Sequence, residues 1–286
     1  MAVDVERQRL YVAALGHNTV EVLDLRTGGR IRSLGGCREP QGVACLLHSD
    51  RVCVTNGDGG ECLFFTADSL PVVGSLPLTD DADNVRYDAG RARLYVGYGS
   101  GGLAIIRESD AKLLGTVPLS GHPEAFQAES SGARAYVNIP SGNQIAVVQL
   151  DSGRVVERWR LGSTHSNFPM ALDEAAHRLY VGCRTPPTLL VYNTQTGQIV
   201  SHSEIEGDVD DVFLDRQKQR LYISCGSGFV QVLQRDGDDR LETVAKITTR
   251  RGARTCLFVP ELGRLYVAAP RQGDQDAVIE VFEVLP

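Results

Sequence analysis

Arg9-Leu10-Tyr11-Val12 opens a pattern that returns six more times: Arg51-Val52-Cys53-Val54, Arg93-Leu94-Tyr95-Val96, Arg134-Ala135-Tyr136-Val137, Arg178-Leu179-Tyr180-Val181, Arg220-Leu221-Tyr222-Ile223 and Arg264-Leu265-Tyr266-Val267. The third residues stand at 11, 53, 95, 136, 180, 222 and 266, so successive copies lie 42, 42, 41, 44, 42 and 44 residues apart. A near-constant period of this length marks stacked or radially arranged units, each too small to bury its apolar surface alone. Four short segments recur in each unit. In the first they are Ala2–Asp4, Arg9–Ala14, Thr19–Asp24 and Arg30–Leu34; in the fourth they are 125–129, 134–139, 144–150 and 154–161. Turn residues such as Thr27-Gly28-Gly29 and Asp151-Ser152-Gly153 separate them. Alternating or β-branched runs with this punctuation read as strands. No segment sustains a 3.6-residue period, so essentially no helix is expected.

Seven units of four antiparallel strands predict an all-β fold, a seven-bladed β-propeller formed as a single domain over residues 1–286. A β-solenoid would need shorter repeats, and a sandwich would not repeat. The Gly-His and Trp-Asp marks of WD40 blades are absent. Val54-Thr55-Asn56 and the third-strand stretch Asn18-Thr19-Val20-Glu21-Val22-Leu23-Asp24 give the chain a repeat that resembles the YVTN-type β-propellers along its whole length. That resemblance implies the fold and little about activity, since function resides in sites carried by a fold. The last unit contains segments 254–259, 264–269 and 277–284 and then ends, leaving six outer strands against seven of every other kind. The last blade is therefore expected to be three-stranded, with an edge that is open or covered by another chain, as in a homodimer through 277–284. Propellers usually close on strands from both termini, so a strand upstream of Met1 would be expected.

Hydrophobic residues make up 42% of the 286, enough for a continuous core. A net charge of −7 with no basic cluster argues against nucleic acid as a partner. No apolar run reaches the roughly 20 residues that span a bilayer, so no membrane partner is expected. The opening Met1-Ala2-Val3-Asp4 carries no leader pattern, which implies a cytoplasmic chain as it stands, or a periplasmic or secreted one if residues precede Met1. Seven cysteines without a Cys-x-x-Cys pair read as buried thiols rather than a disulfide or metal framework.

No phosphate loop, His-Glu-x-x-His, Gly-x-Ser-x-Gly or dinucleotide fingerprint is present. Gly99-Ser100-Gly101-Gly102 reads as a tight turn. Aligning the repeats on the tyrosine is more informative, because the loops entering each first strand converge at one mouth of a propeller's channel. An acid recurs seven residues before the tyrosine at Asp4, Asp88, Glu129, Asp173 and Asp215. Five residues before that position lie Gln41, Asp83, Glu124, Phe168, Asp210 and Arg254, and seven before it Glu39, Asp81, His122, Ser166, Asp208 and Gly252. Asp80, Asn84, His165, Asn167 and Asp211 stand beside them.

Gathered carboxylates repel one another unless a cation neutralises them. Asp83, Asn84, Glu124, Asp210 and Asp211 are the candidate ligands of a divalent metal. An all-oxygen set suits calcium, and a set joined by His122 or His165 suits zinc. His122 and His165 are candidate general bases and Arg254 a candidate oxyanion holder. Glu39, Gln41, Asp81, Asn167 and Asp208 are candidate contacts to a small-molecule substrate. The reading is a metal-dependent hydrolase of small esters, lactones or phosphotriesters, by analogy with channel-mouth metal sites of other propellers. Its alternative is a non-catalytic scaffold that binds a protein, peptide or small ligand on the same face. A quinone-dependent dehydrogenase would want more than the single Trp159.

Overall fold

The computed structural model describes residues 1–68, 70–237 and 239–285. Among these, 27 strands form seven antiparallel sheets, six of four strands and one of three. In each sheet the strands pair in chain order, so every blade is a meander joined by tight hairpins. The chain is a seven-bladed β-propeller. The first blade is Ala2–Asp4, Arg9–Ala14, Thr19–Asp24 and Arg30–Leu34. The seventh is Thr255–Val259, Arg264–Ala269 and Val278–Glu283, three strands among the described residues. The only helical pieces among the described residues are four 3-10 turns of three residues. Two compact units can be delimited: Met1–Gly142 with Ala146–Glu157, and Asn143–Ile145 with the chain from Arg158 onward.

The recurring Arg-Leu-Tyr-Val explains how blades pack within each unit. Side chains alternate across a strand, so neighbouring residues face opposite sides of the sheet. In the third blade Leu94 and Val96 enter a core shared with Phe64 of the second, while Tyr95 enters a core shared with Phe126 of the fourth. In the sixth, Leu221 and Ile223 pack with Tyr180 of the fifth, and Tyr222 packs with Phe258 of the seventh. The second strand is thus apolar on both faces. The fourth strands are mostly exposed, with patterns such as that of Ile199–Glu204. Leu34, Val117 and Trp159 are buried exceptions, the last stacked on Tyr192 with ring centroids 5.8 Å apart.

Polar residues of the repeat serve the same packing. Tyr136 donates to Glu129 at 2.8 Å and Tyr222 to Asp215 at 3.3 Å, which ties each ring to the acid seven residues before it. Among the recurring arginines, Arg178 meets an acid of an adjacent turn, donating twice to Asp239 of the next blade at 2.7 and 2.6 Å. Arg9, Arg51 and Arg220 reach carbonyl oxygens instead, those of Ala67, Glu108 and Leu285 in the blade that follows. All seven cysteines are free thiols and six are buried. Replacing the fully buried Tyr180 with alanine is expected to cost about 3–5 kcal/mol in denaturant unfolding, against under about 0.5 kcal/mol for Val156→Ala on an outer strand.

Candidate functional site

The loops that enter the first strands share a backbone design. Glu39, Asp81, Ser166, Asp208 and Gly252, all at the same repeat position, adopt left-handed φ angles of 49°, 38°, 61°, 59° and 81°. The carbonyls of Glu39, Asp81 and Asp208 accept from Gly57, Gly99 and Gly226, the residues that directly follow the second strand of the same blade. Non-glycine residues held left-handed cost energy and cluster where a loop presents a side chain in a fixed direction. At the equivalent position His122 departs from this geometry. Pro123 follows it, and a residue before proline is pushed toward extended backbone. Gly97 leaves room for that proline, since a Cβ there would lie 3.0 Å from its Cγ.

In the first unit this places His122 among acids. Its Nδ1 lies 2.7 Å from the Gly99 carbonyl oxygen and 3.6 Å from Asp81 Oδ2, and its Nε2 lies 3.8 Å from Asp83 Oδ2. One ligand atom each from Asp83, His122 and Glu124, all partly buried, lie within 4.8 Å of one another. Asn84 donates to Asp83 Oδ2 at 3.2 Å. Thr55 of the preceding blade holds the Asp83 carbonyl, fixing the strand that carries it. The Asp83 carboxylate, with help from Gly99, Asp81 and Glu124, outweighs burial and pushes His122 up to about 9. Burial, with the charges of Asp83 and Asp80, raises Asp81 against the opposing pull of His122. Glu39 is exposed, with its backbone N–H donated to Asn18 at 2.8 Å, and Gln41 lies beside Gly57 close to Asp81.

The second unit uses the same positions differently. Asp208 accepts from Arg254 Nη1 at 3.1 and 3.3 Å and lies 3.5 Å from Arg184 Nε. Asp210 pairs with Arg184 and lies 3.6 Å from Arg254 Nε. Asp211 accepts the Cys256 backbone N–H at 2.8 Å. Arg184 also donates to the Val209 carbonyl at 2.9 Å and stacks 3.8 Å over the Phe168 ring. Gly226 leaves open the space that the Asp208 carboxylate occupies, which a Cβ would enter. Asn167 is fully buried and donates to the Gln144 carbonyl at 3.0 Å, while His165 is exposed at the start of its strand.

Within the first unit, then, the candidates Asp81, Asp83, Asn84, His122 and Glu124 come together, and in the second Asp208, Asp210 and Arg254 do. Asp210 carries two arginine partners and Asp211 caps a backbone amide, which leaves both engaged. Arg184 was missed by the sequence reading. The signal for it was available: four residues after the aligned tyrosine position stand Leu15, Gly57, Gly99, Pro140, Arg184, Gly226 and Pro270, of which Arg184 alone is charged. The role of the Gly99 carbonyl carries no side-chain signal at all. In metal-free protein the His122 ring is expected to titrate near pH 9 by NMR, and Asp83→Asn should lower that midpoint by about one unit or more.

No protein-family model matches the chain, and no curated protein matches it in sequence. Solved structures match it in fold. A chain of the Kuenenia stuttgartiensis hydrazine synthase is similar at a TM-score of 0.88 and 14% identity, covering 99% of this chain and 95% of that one. A chain of the mitotic checkpoint complex matches at 0.82 and 14% identity, covering 96% and 84%. A functionally unknown protein from Desulfotomaculum acetoxidans DSM 771 matches at 0.79 and 12%, covering 96% and 98%. At these identities the likeness establishes the seven-bladed propeller fold.

Proposed function

We propose that this chain is a YVTN-type propeller that binds a divalent transition-metal ion through Asp83, His122 and Glu124 and hydrolyses small esters, lactones or phosphotriesters there. One observation carries the reading: the His122 Nδ1–Gly99 carbonyl contact. A ligating histidine characteristically donates its other ring N–H to a carbonyl or carboxylate, which fixes tautomer and ring orientation. Here that contact leaves Nε2 facing Asp83, with Glu124 in the same cluster. Two carboxylates and an imidazole suit zinc better than calcium, which takes six to eight oxygens. Such an ion would supply Lewis acidity and a lowered pKa for bound water. Among the chain's own groups, Asn84 orients Asp83, and Asp81 stands beside the imidazole as the nearest further proton acceptor. Arg254 is already paired with Asp208 and Asp210, so the chemistry is drawn from the His122 cluster rather than from that arginine.

The alternative, a non-catalytic scaffold for a protein, peptide or small ligand, is favoured by the second unit's Arg184–Asp210–Arg254 cluster. Its charges are mutually satisfied, as in a surface built for polar contacts rather than for a reacting centre. The structural neighbours are consistent with either reading, one belonging to an enzyme and another to a checkpoint complex.

Elemental analysis and zinc titration of the purified protein separate the two. The metal reading expects about one ion per chain, affinity lowered at least about 100-fold by Asp83→Ala, His122→Ala or Glu124→Ala, and little change for Asp210→Ala. Chelator-sensitive turnover on an ester, lactone and phosphotriester panel is the corresponding activity. Absence of both metal and turnover would leave the scaffold.

A further inference from the structure

Three consecutive residues after the sixth blade's outer strand depart from the repeat, and they are independent of the metal reading. In four blades the residue that follows the outer strand bonds back to the start of the third strand. The N–H groups of Leu78, Leu119, Ile205 and Thr249 donate to the carbonyls of Gly60, Gly101, Pro187 and Gly228. Three of these residues are aliphatic, and the sixth blade sets a hydroxyl in their place. The next two positions read Thr79-Asp80, Ser120-Gly121 and Glu206-Gly207 in the other blades, against Arg250-Arg251 here.

The oxygens Thr249 Oγ1 and Ser227 Oγ are both buried and have no hydrogen-bond partner. Backbone bonds hold the two residues side by side. Gly226 accepts from Gly252 at 2.8 Å and Gly228 from Thr249 at 2.9 Å, so residues 249–252 run along the Gly226-Ser227-Gly228 turn. Gly228, at a φ of 104°, lets Arg251 close on that turn; a Cβ there would lie 3.5 Å from Arg251 Cγ and 3.6 Å from its backbone nitrogen. Arg250 donates to the carbonyls of Pro270 and Asp276 at 2.8 and 2.7 Å, and Arg251 is exposed. Neither arginine forms an ion pair among the described residues. Glu206 and Asp208, the acids of the adjoining loop, are taken by Lys246 and Arg254. Unmatched buried hydroxyls are costly, and hydroxyl donors beside two uncompensated cations are complementary to an oxyanion.

We propose that the sixth blade binds a phosphate group between the 226–228 turn and residues 249–252. The Ser227 and Thr249 hydroxyls donate to its oxygens, and the Arg251 guanidinium closes over it from the exposed side. Arg250, fixed by two carbonyls, contributes charge from a set position. Ser227 is half-buried as a residue, so a χ1 rotation turns its hydroxyl to an entering ligand. A tetrahedral phosphate offers acceptors in several directions, which suits donors from two loops better than a planar carboxylate does.

The test is 1H–15N NMR of the full chain, stripped of metal and titrated separately with inorganic phosphate and phenyl phosphate. Saturable shifts are expected at the amides of Ser227, Gly228 and residues 249–252, with the same midpoint in His122→Ala. Arg251→Ala should weaken binding at least about tenfold. Thr249→Leu, which restores the residue of the second and third blades, should weaken it about as much while unfolding no earlier in denaturant. Tighter binding of phenyl phosphate identifies a phosphate ester as the ligand, and equal binding identifies free phosphate; either supports the site. The proposal is overturned by shifts that do not saturate, by saturable shifts confined to other loops, or by unchanged affinity in Arg251→Ala.

Discussion

Tyr95 and its neighbours Leu94 and Val96 face two different cores, and the rest of the structure depends on that division. A blade with two apolar faces cannot satisfy both by itself. Each second strand therefore requires a blade on either side, and the same requirement passes from one repeat to the next. Tyr222 and Leu221 divide in the same way. The arginine that begins the motif adds a polar tie, from Arg178 to Asp239 or from Arg51 to the Glu108 carbonyl. Fourth strands lie outside this demand, which is why their composition drifts toward exposed and charged residues.

Uniform packing leaves the loops between blades free to differ. Asp83 and Asp210 occupy one repeat position and have opposite surroundings. Asp83 meets His122 and Glu124 from the next blade, a histidine raised by carboxylates. Asp210 lies between Arg184 and Arg254, two permanent cations. The scaffold presents the carboxylate in the same manner twice, and the neighbouring loop decides whether it is a candidate ligand or half of an ion pair. Pro123 has a large share in this, because it takes His122 out of the left-handed geometry of its counterparts.

The sequence by itself determined the strand order, the blade count and the three-stranded last blade. A 42-residue period, two-residue alternation and turn residues are local signals that survive without knowledge of contacts. It also identified the loop positions that bear Asp81, Asp83, His122, Glu124, Asp208, Asp210 and Arg254. Only the tertiary structure decided which of these meet. The Gly99 carbonyl that orients His122 is backbone, invisible in residue identity. The commitment of Asp211 to the Cys256 amide depends on how adjacent first strands approach. The pairing of Asp210 with Arg184 joins strands of different blades, at residues 26 positions apart. Charge pairing is a matter of a few ångströms, and distances of that order are set by packing between blades rather than by spacing along the chain.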